Sequence, residues 1–162
     1  MLVCSCFFIS GFIWGKHRKP YRSESYAKEN IRYFLDATTM IHFQTNEIIS
    51  IDYIVANRRN ILFFWTPDCS FCENFLDDFS KLRHDARLIC FPIDIDADEL
   101  DSYLSRNEIV DPQIFIYNAK NEIINPFGVE LIPSILVVDN DGNIIYSQTG
   151  GELNERFISA IQ

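Results

Sequence analysis

The sequence predicts an α/β fold whose sheet ends in an antiparallel edge, on three observations. The apolar run "ILFFW" (Ile61–Trp65) is followed by residues at helical spacing and then by a second apolar run, "RLICF". Two buried strands joined through a helix read as a parallel crossover unit. Further on, "ILVVDNDGNIIYS" places two β-rich runs on either side of an Asp-Gly turn, the signature of an antiparallel hairpin.

Taken in order, "MIHF" (Met40–Phe43) predicts a short strand, "TNE" a turn, "IIS" (Ile48–Ser50) a second strand and "IDYIVANR" a helical turn. Ile61–Trp65 lies between "RRN" and "TPD" and is apolar at every position, as a fully buried central strand requires. From Cys69 the period changes. Phe71, Phe75, Leu76, Phe79 and Leu82 recur on one helical face, with Glu73, Asp77, Asp78 and Lys81 on the other. Arg87–Asp96 reads as the next buried strand, and "DADELDSYLSRNEI" (Asp96–Ile109) as a helix that opens with acids, which the helix dipole favours. "PQIFIYNAKNEII" (Pro112–Ile124) reads as a short extended piece with a turn. The hairpin is expected to pair Ile135–Val138 with Asn143–Ser147 across Asp139–Gly142, and "GELNERFISAIQ" forms a terminal helix.

The chain has 162 residues, 48% hydrophobic and 14% aromatic, enough to bury one core without help from disulfides or metals. Its net charge of -9 is unevenly laid out. Lys16, Arg18, Lys19 and Arg22 fall where there is no acid, which leaves 10 basic and 23 acidic residues in the body, a net -13. Such a body repels a phosphate backbone, so no nucleic-acid partner is expected.

Residues 1–15 are uncharged and mainly apolar, 16–38 form a basic and then polar linker, and 39–162 form the domain. The apolar segment is short for a bilayer-spanning helix, which needs about 20 residues. It suits an export signal or a short membrane anchor, or one clipped by a late start; a buried strand or helix of the domain is the competing reading. The basic cluster follows the apolar run, and the positive-inside rule would then keep the domain in the cytoplasm. Cys4 and Cys6 are small apolar members of this run or, for one of them, a lipid attachment point.

Cys69 and Cys72 carry the chemistry. A zinc site needs about four ligands, but there is no second CxxC, and His17, His42 and His84 lack metal-binding spacing. No metal and no cofactor are called for. A structural disulfide across so short a loop would constrain the unfolded chain little. The redox reading has a mechanism. A cysteine where a buried strand meets a helix faces the unsatisfied N–H groups and positive dipole end of that helix, which favour thiolate, and a second cysteine one turn on can close a disulfide with it. Cys90, in an apolar strand, reads as a small core residue.

"FFWTPDCSFC" resembles the active-site segment of the thioredoxin superfamily, and "FGVELIPSILVVDNDGNIIYSQTGG" resembles that family's segment with a cis-proline, a D-x-D-G turn and a closing glycine pair. The resemblance covers about Ile48 to the C-terminus and is greatest to the membrane-tethered TlpA/ResA-type branch. It implies a three-layer α/β/α sandwich with a mixed central sheet and an N-terminal β extension. It makes Cys69 the nucleophile, Cys72 the resolving thiol and Pro133 the cis-proline facing them, with the backbone of Ile132 pairing with substrate. It further implies protein disulfide or dithiol substrates, an upstream redox partner, a monomer, and a periplasmic or extracytoplasmic location tethered to the inner membrane. Trp65, Pro67, Asp68, Ser70 and Phe71 are the expected substrate-facing neighbours; Trp65 earns its place by ending the strand.

Three departures bear on direction. Phe63 stands where thioredoxin has a buried aspartate, so proton transfer from the resolving thiol passes to another carboxylate or to water. Proline between the cysteines is replaced by Ser70-Phe71. Glu73 follows the second cysteine, where the family often has a base. Asp68 and Glu73 disfavour thiolate while the helix N-terminus favours it, and no base lies beside the cysteines. A reductase is therefore expected over an oxidase or isomerase, with a binding module of the same fold as the reading from a different class. The P-x-x-x-[ST]-x-x-C pattern of a peroxidase is absent.

Overall fold

The computed structural model describes Ile31, residues 40–41, 45, 47–49, 58–106, 115–116, 127 and 129–162. The expected signal or anchor segment, nearly all of the linker and the helical turn of "IDYIVANR" lie outside the described residues. Among the described residues no helix is long and apolar enough to cross a membrane.

Two short strands, β1 (Met40–Ile41) and β2 (Ile48–Ile49), pair antiparallel in a small sheet of their own. The main sheet contains β3 (Asn60–Trp65), β4 (Arg87–Pro92), β5 (Phe115–Ile116), β6 (Ser134–Val138) and β7 (Ile144–Thr149) in the order β5-β4-β3-β6-β7. β3 pairs parallel with β4 and antiparallel with β6, so the sheet changes direction beside its central strand. Every residue of β3, β4 and β6 is buried, which is why these runs are apolar after their first residues, Asn60, Arg87 and Ser134, rather than alternating.

Three helices are described: α1 (Ser70–Ser80), α2 (Ala97–Arg106) and α3 (Glu155–Ile161). Side chains alternate along a strand. Ile61, Phe63 and Trp65 therefore share one face of β3, and they join one core with Cys72, Phe75 and Phe79 of α1, Leu100 and Tyr103 of α2, and Phe157 of α3. The chain steps the same way along the sheet twice, β3 to β4 to β5, and crossovers of one hand then put α1 and α2 on the same face. Leu62, Phe64, Phe91 and Leu136 occupy the other face and are equally buried; Phe127 packs on Phe64 there at 5.5 Å.

Several boundaries differ from the sequence expectation. β4 stops at Pro92 rather than Asp96, because Asp94 takes a left-handed backbone (φ 54) that leaves the sheet. Asp96 caps α2 instead of beginning it, its Oδ1 accepting from Glu99 N at 2.8 Å. Asn143 belongs to the hairpin turn, its N–H and Nδ2 both donating to the Asp139 carboxylate, while β7 runs on to Thr149 opposite Ser134. The helix predicted to reach Ile109 is described as far as Arg106. Arg59 ties the last helix to the start of the central strand by donating to Ala160 O at 2.8 Å.

Candidate active site

The site forms where β3 runs into α1. Trp65 ends the strand, Thr66-Pro67-Asp68 turn the chain, and Cys69 caps α1 with an extended backbone (φ -114, ψ 98). The Cys72 amide donates both to Cys69 O at 2.9 Å and to Cys69 Sγ at 3.2 Å, so a first-turn N–H of the helix is shared with that sulfur. Cys69 and Cys72 are joined as a disulfide, with their Cα atoms 5.2 Å apart. The two sulfurs differ in access: Cys69 is half-buried and Cys72 is 0% exposed.

A second loop, before β6, lies at the same end of the sheet, since Ser134 is paired with Phe64. The Ile132–Pro133 peptide is cis, Pro133 is buried, and Ile132 packs against the same core as Cys69 and Cys72. Ser134 Oγ donates to Leu131 O at 2.7 Å and tightens this loop. A glycine pair after β7 joins the two loops. Gly150 N–H donates to Pro133 O at 2.8 Å, and Gly151 lies against the first turn of α1. A Cβ on Gly151 would stand 2.6 Å from the Phe71 carbonyl oxygen and 3.1 Å from Phe75 Cβ. Only glycine allows that approach.

Of the residues singled out from sequence, Cys69, Asp68, Ser70, Phe71 and Pro67 lie at the junction with at least part of their surface in solvent. Trp65 requires a correction. Its indole is only 2% exposed and lies against Tyr103 at 5.2 Å, so its side chain is part of the core and not of a substrate rim. The reason is strand alternation: Trp65 shares the inward face with Ile61 and Phe63, and α2 covers it. Phe63 stacks on Phe75 at 4.6 Å with no solvent access, and no carboxylate is buried among the described residues. The described histidine, His84, lies past the C-terminal end of α1, against Phe79 at 4.2 Å.

Sequence reasoning missed Leu131, 60% exposed beside Ile132, and Tyr103, whose ring covers Trp65. Leu131 stands among Val129, Ile132 and Pro133, so no local pattern marked it as the exposed member. Burial pushes the Tyr103 phenol pKa up, Glu73 adds to this, Arg106 opposes it and Asp68 adds again. Asp68 and Glu73 thus both disfavour ionisation of this phenol. Among the described residues no cluster of His, Cys, Asp and Glu could hold a metal ion.

A thioredoxin-like domain family matches residues 50–162. The fold is similar to that of StoA from Bacillus subtilis, at 19% identity and a TM-score of 0.60 over 76% of this chain and 95% of that one. It is also similar to the thioredoxin domain of a thiol-disulfide oxidoreductase from Bacteroides vulgatus, at 14% identity and a TM-score of 0.59 over 76% and 92%. A thioredoxin-like protein from Aeropyrum pernix compares at 15% identity and 0.59 over 78% and 88%. No curated protein matches the sequence.

Proposed function

We propose, from the premise that this chain belongs to the thioredoxin-like domain family, that it is a thiol–disulfide oxidoreductase acting on protein disulfides, and that it runs as a reductase. The observation that carries this is a CxxC disulfide capping a helix, with one cysteine partly exposed and the other buried in the core.

In the reduced protein the Cys69 thiolate attacks one sulfur of a substrate disulfide. The substrate S–S bond breaks, a mixed disulfide forms at Cys69 Sγ, and the second substrate sulfur leaves as thiolate and takes a proton. Cys72 then gives its proton to another carboxylate or to water and attacks Cys69 Sγ, restoring the Cys69–Cys72 bond and releasing the first substrate sulfur. Two electrons pass from the cysteine pair to the substrate, and an upstream dithiol partner must return them. The chain works as a monomer. The loop at Ile132–Pro133 holds the substrate backbone, and Pro67, Asp68, Ser70 and Phe71 face it.

Two features favour reduction. Asp68 and Glu73 place exposed carboxylates beside the helix N-terminus, where they oppose the stabilisation of thiolate that the helix provides. No histidine or other base lies between or beside the cysteines. An extracytoplasmic site of action, tethered by the apolar segment 1–15, agrees with the composition of that segment and is checked by a reporter fused to the C-terminus.

The decisive experiment is trapping. Cys72→Ser expressed in the native host should retain protein partners in a mixed disulfide at Cys69, released by dithiothreitol. Cys69→Ser should retain none and should lose insulin reduction. Equal, near-zero insulin reduction by wild type and Cys69→Ser would sink the enzyme reading and favour a binding module.

A further inference from the structure

Disulfide exchange requires two sulfurs and a loop to hold the partner. The surface around them carries more than that. Phe71 stands between the cysteines with 70% of its surface exposed, and Leu131 precedes Ile132 with 60% exposed. The other large hydrophobics exposed among the described residues, Ile48 and Ile145, lie on β2 and β7. Phe71 and Leu131 are not loose ends. Gly150 is hydrogen-bonded to Pro133, and Gly151 is packed under the Phe71 carbonyl, so one glycine pair fixes both of the backbones that carry them. Apolar side chains held out to water on a braced framework mark a binding surface.

The charges on this surface have one prevailing sign. Asp68 and Glu73 flank the cysteines and are exposed, and exposed Glu130 precedes Leu131. Asp68 immediately precedes Cys69 and Glu73 immediately follows Cys72, so an acid borders the disulfide at each end.

We infer that Phe71, Leu131 and the carboxylates of Asp68, Glu73 and Glu130 form a docking collar for the cysteine-bearing segment of a partner protein, selecting segments in which a bulky apolar residue and a Lys or Arg neighbour the reacting cysteine. This rests on the thiol–disulfide exchange proposed above and names its substrate class. The apolar residue covers Phe71 and Leu131, and the base meets the acidic rim before the sulfurs do.

The test uses the reduced full-length chain and short peptides whose single cysteine is capped by 2-mercaptoethanol. The cysteine neighbours are Leu and Lys, Leu and Glu, or Ser and Lys. The Leu/Lys peptide should be reduced about tenfold faster than Leu/Glu at low ionic strength, since an exposed charge pair contributes up to about a fivefold preference and more than one acid faces the segment. That ratio should approach unity at about 1 M salt, where screening acts within about 3 Å, and should shrink in Asp68→Asn and Glu73→Gln. The Ser/Lys peptide should lag Leu/Lys several-fold, and Phe71→Ser should erase that lag.

Equal rates for the three peptides, with turnover of the small neutral bis(2-hydroxyethyl) disulfide intact, would overturn the collar and leave the oxidoreductase reading standing. No turnover of any disulfide would overturn the oxidoreductase reading. Docking is then read by titrating fluorescent Ser-for-Cys peptides into the oxidised chain, where the absence of a Leu/Lys preference overturns the collar. A concentration-dependent dimer that Phe71→Ser abolishes would assign the surface to a second copy of this chain, and would also overturn it.

Discussion

At the scale of single residues, Phe63 and Phe75 explain how an active site is held without a buried charge. Phe63 fills the place that the thioredoxin pattern gives to an aspartate, and it stacks on Phe75, which in turn meets Phe79 at 5.5 Å and Phe157 at 5.9 Å. One ring of α1 thereby fastens the CxxC helix to β3 and to α3. Phe75→Ala should cost about 3–5 kcal/mol, the range for emptying a buried aromatic site. It would appear as a lower urea midpoint at unchanged slope; a loss below about 1 kcal/mol would mean that the neighbouring rings collapse into the space. Phe63 was legible as apolar from the sequence, because each residue of its run is. Trp65 was misread for the same reason: a run apolar at every position does not say which of its faces a helix will cover.

At the scale of elements, turns and caps do the positioning. Gly150 and Gly151 make a useful contrast. Gly150 has φ 101 with nothing near its missing Cβ, so alanine there meets backbone strain alone, about 1–2 kcal/mol. Gly151→Ala drives a methyl into the Phe71 carbonyl, which sits in the hydrogen-bonded first turn of α1 and cannot give way without moving the cysteines. About 1–3 kcal/mol is expected, together with slower insulin reduction, and Gly151→Ala should prove the more harmful of the pair in both assays. The hairpin turn has its own signature. Burial opposes ionisation of Asp139, but hydrogen bonds from Asn143 Nδ2 and the amides of Asn143, Asp141 and Gly142 outweigh it and hold the carboxyl below its ordinary pKa. A depressed folded pKa contributes stability above the unfolded value, about 3.9, which is lost as pH falls through the folded one. The stability gap between wild type and Asp139→Asn should therefore be widest near neutrality and close on acidification below about pH 4. A gap independent of pH would exclude this linkage.

At the scale of the molecule, the mixed sheet brings three distant segments to one end of β3: the CxxC turn, the Leu131–Pro133 loop and the glycine pair. The direction of electron flow is a property of that assembly. The acidic surroundings of Cys69 predict a reducing couple, to be measured by glutathione equilibration and by the pH profile of alkylation. A Cys69 pKa below about 5 with a potential near -120 mV, that of a strong oxidant, would reverse the assignment. By itself the sequence determined the order of strands and helices, the hairpin turn, and a CxxC pair at a strand–helix junction. These follow from periodicity, turn chemistry and capping, which act over a few neighbouring residues. Only the tertiary structure decided that Trp65 is roofed by Tyr103, that Cys72 is buried while Cys69 is partly exposed, and that Gly151 lies against the first turn of α1, far earlier in the chain. Exposure and adjacency depend on what packs over a residue, and that is settled by strand order and crossover direction, which no local pattern encodes.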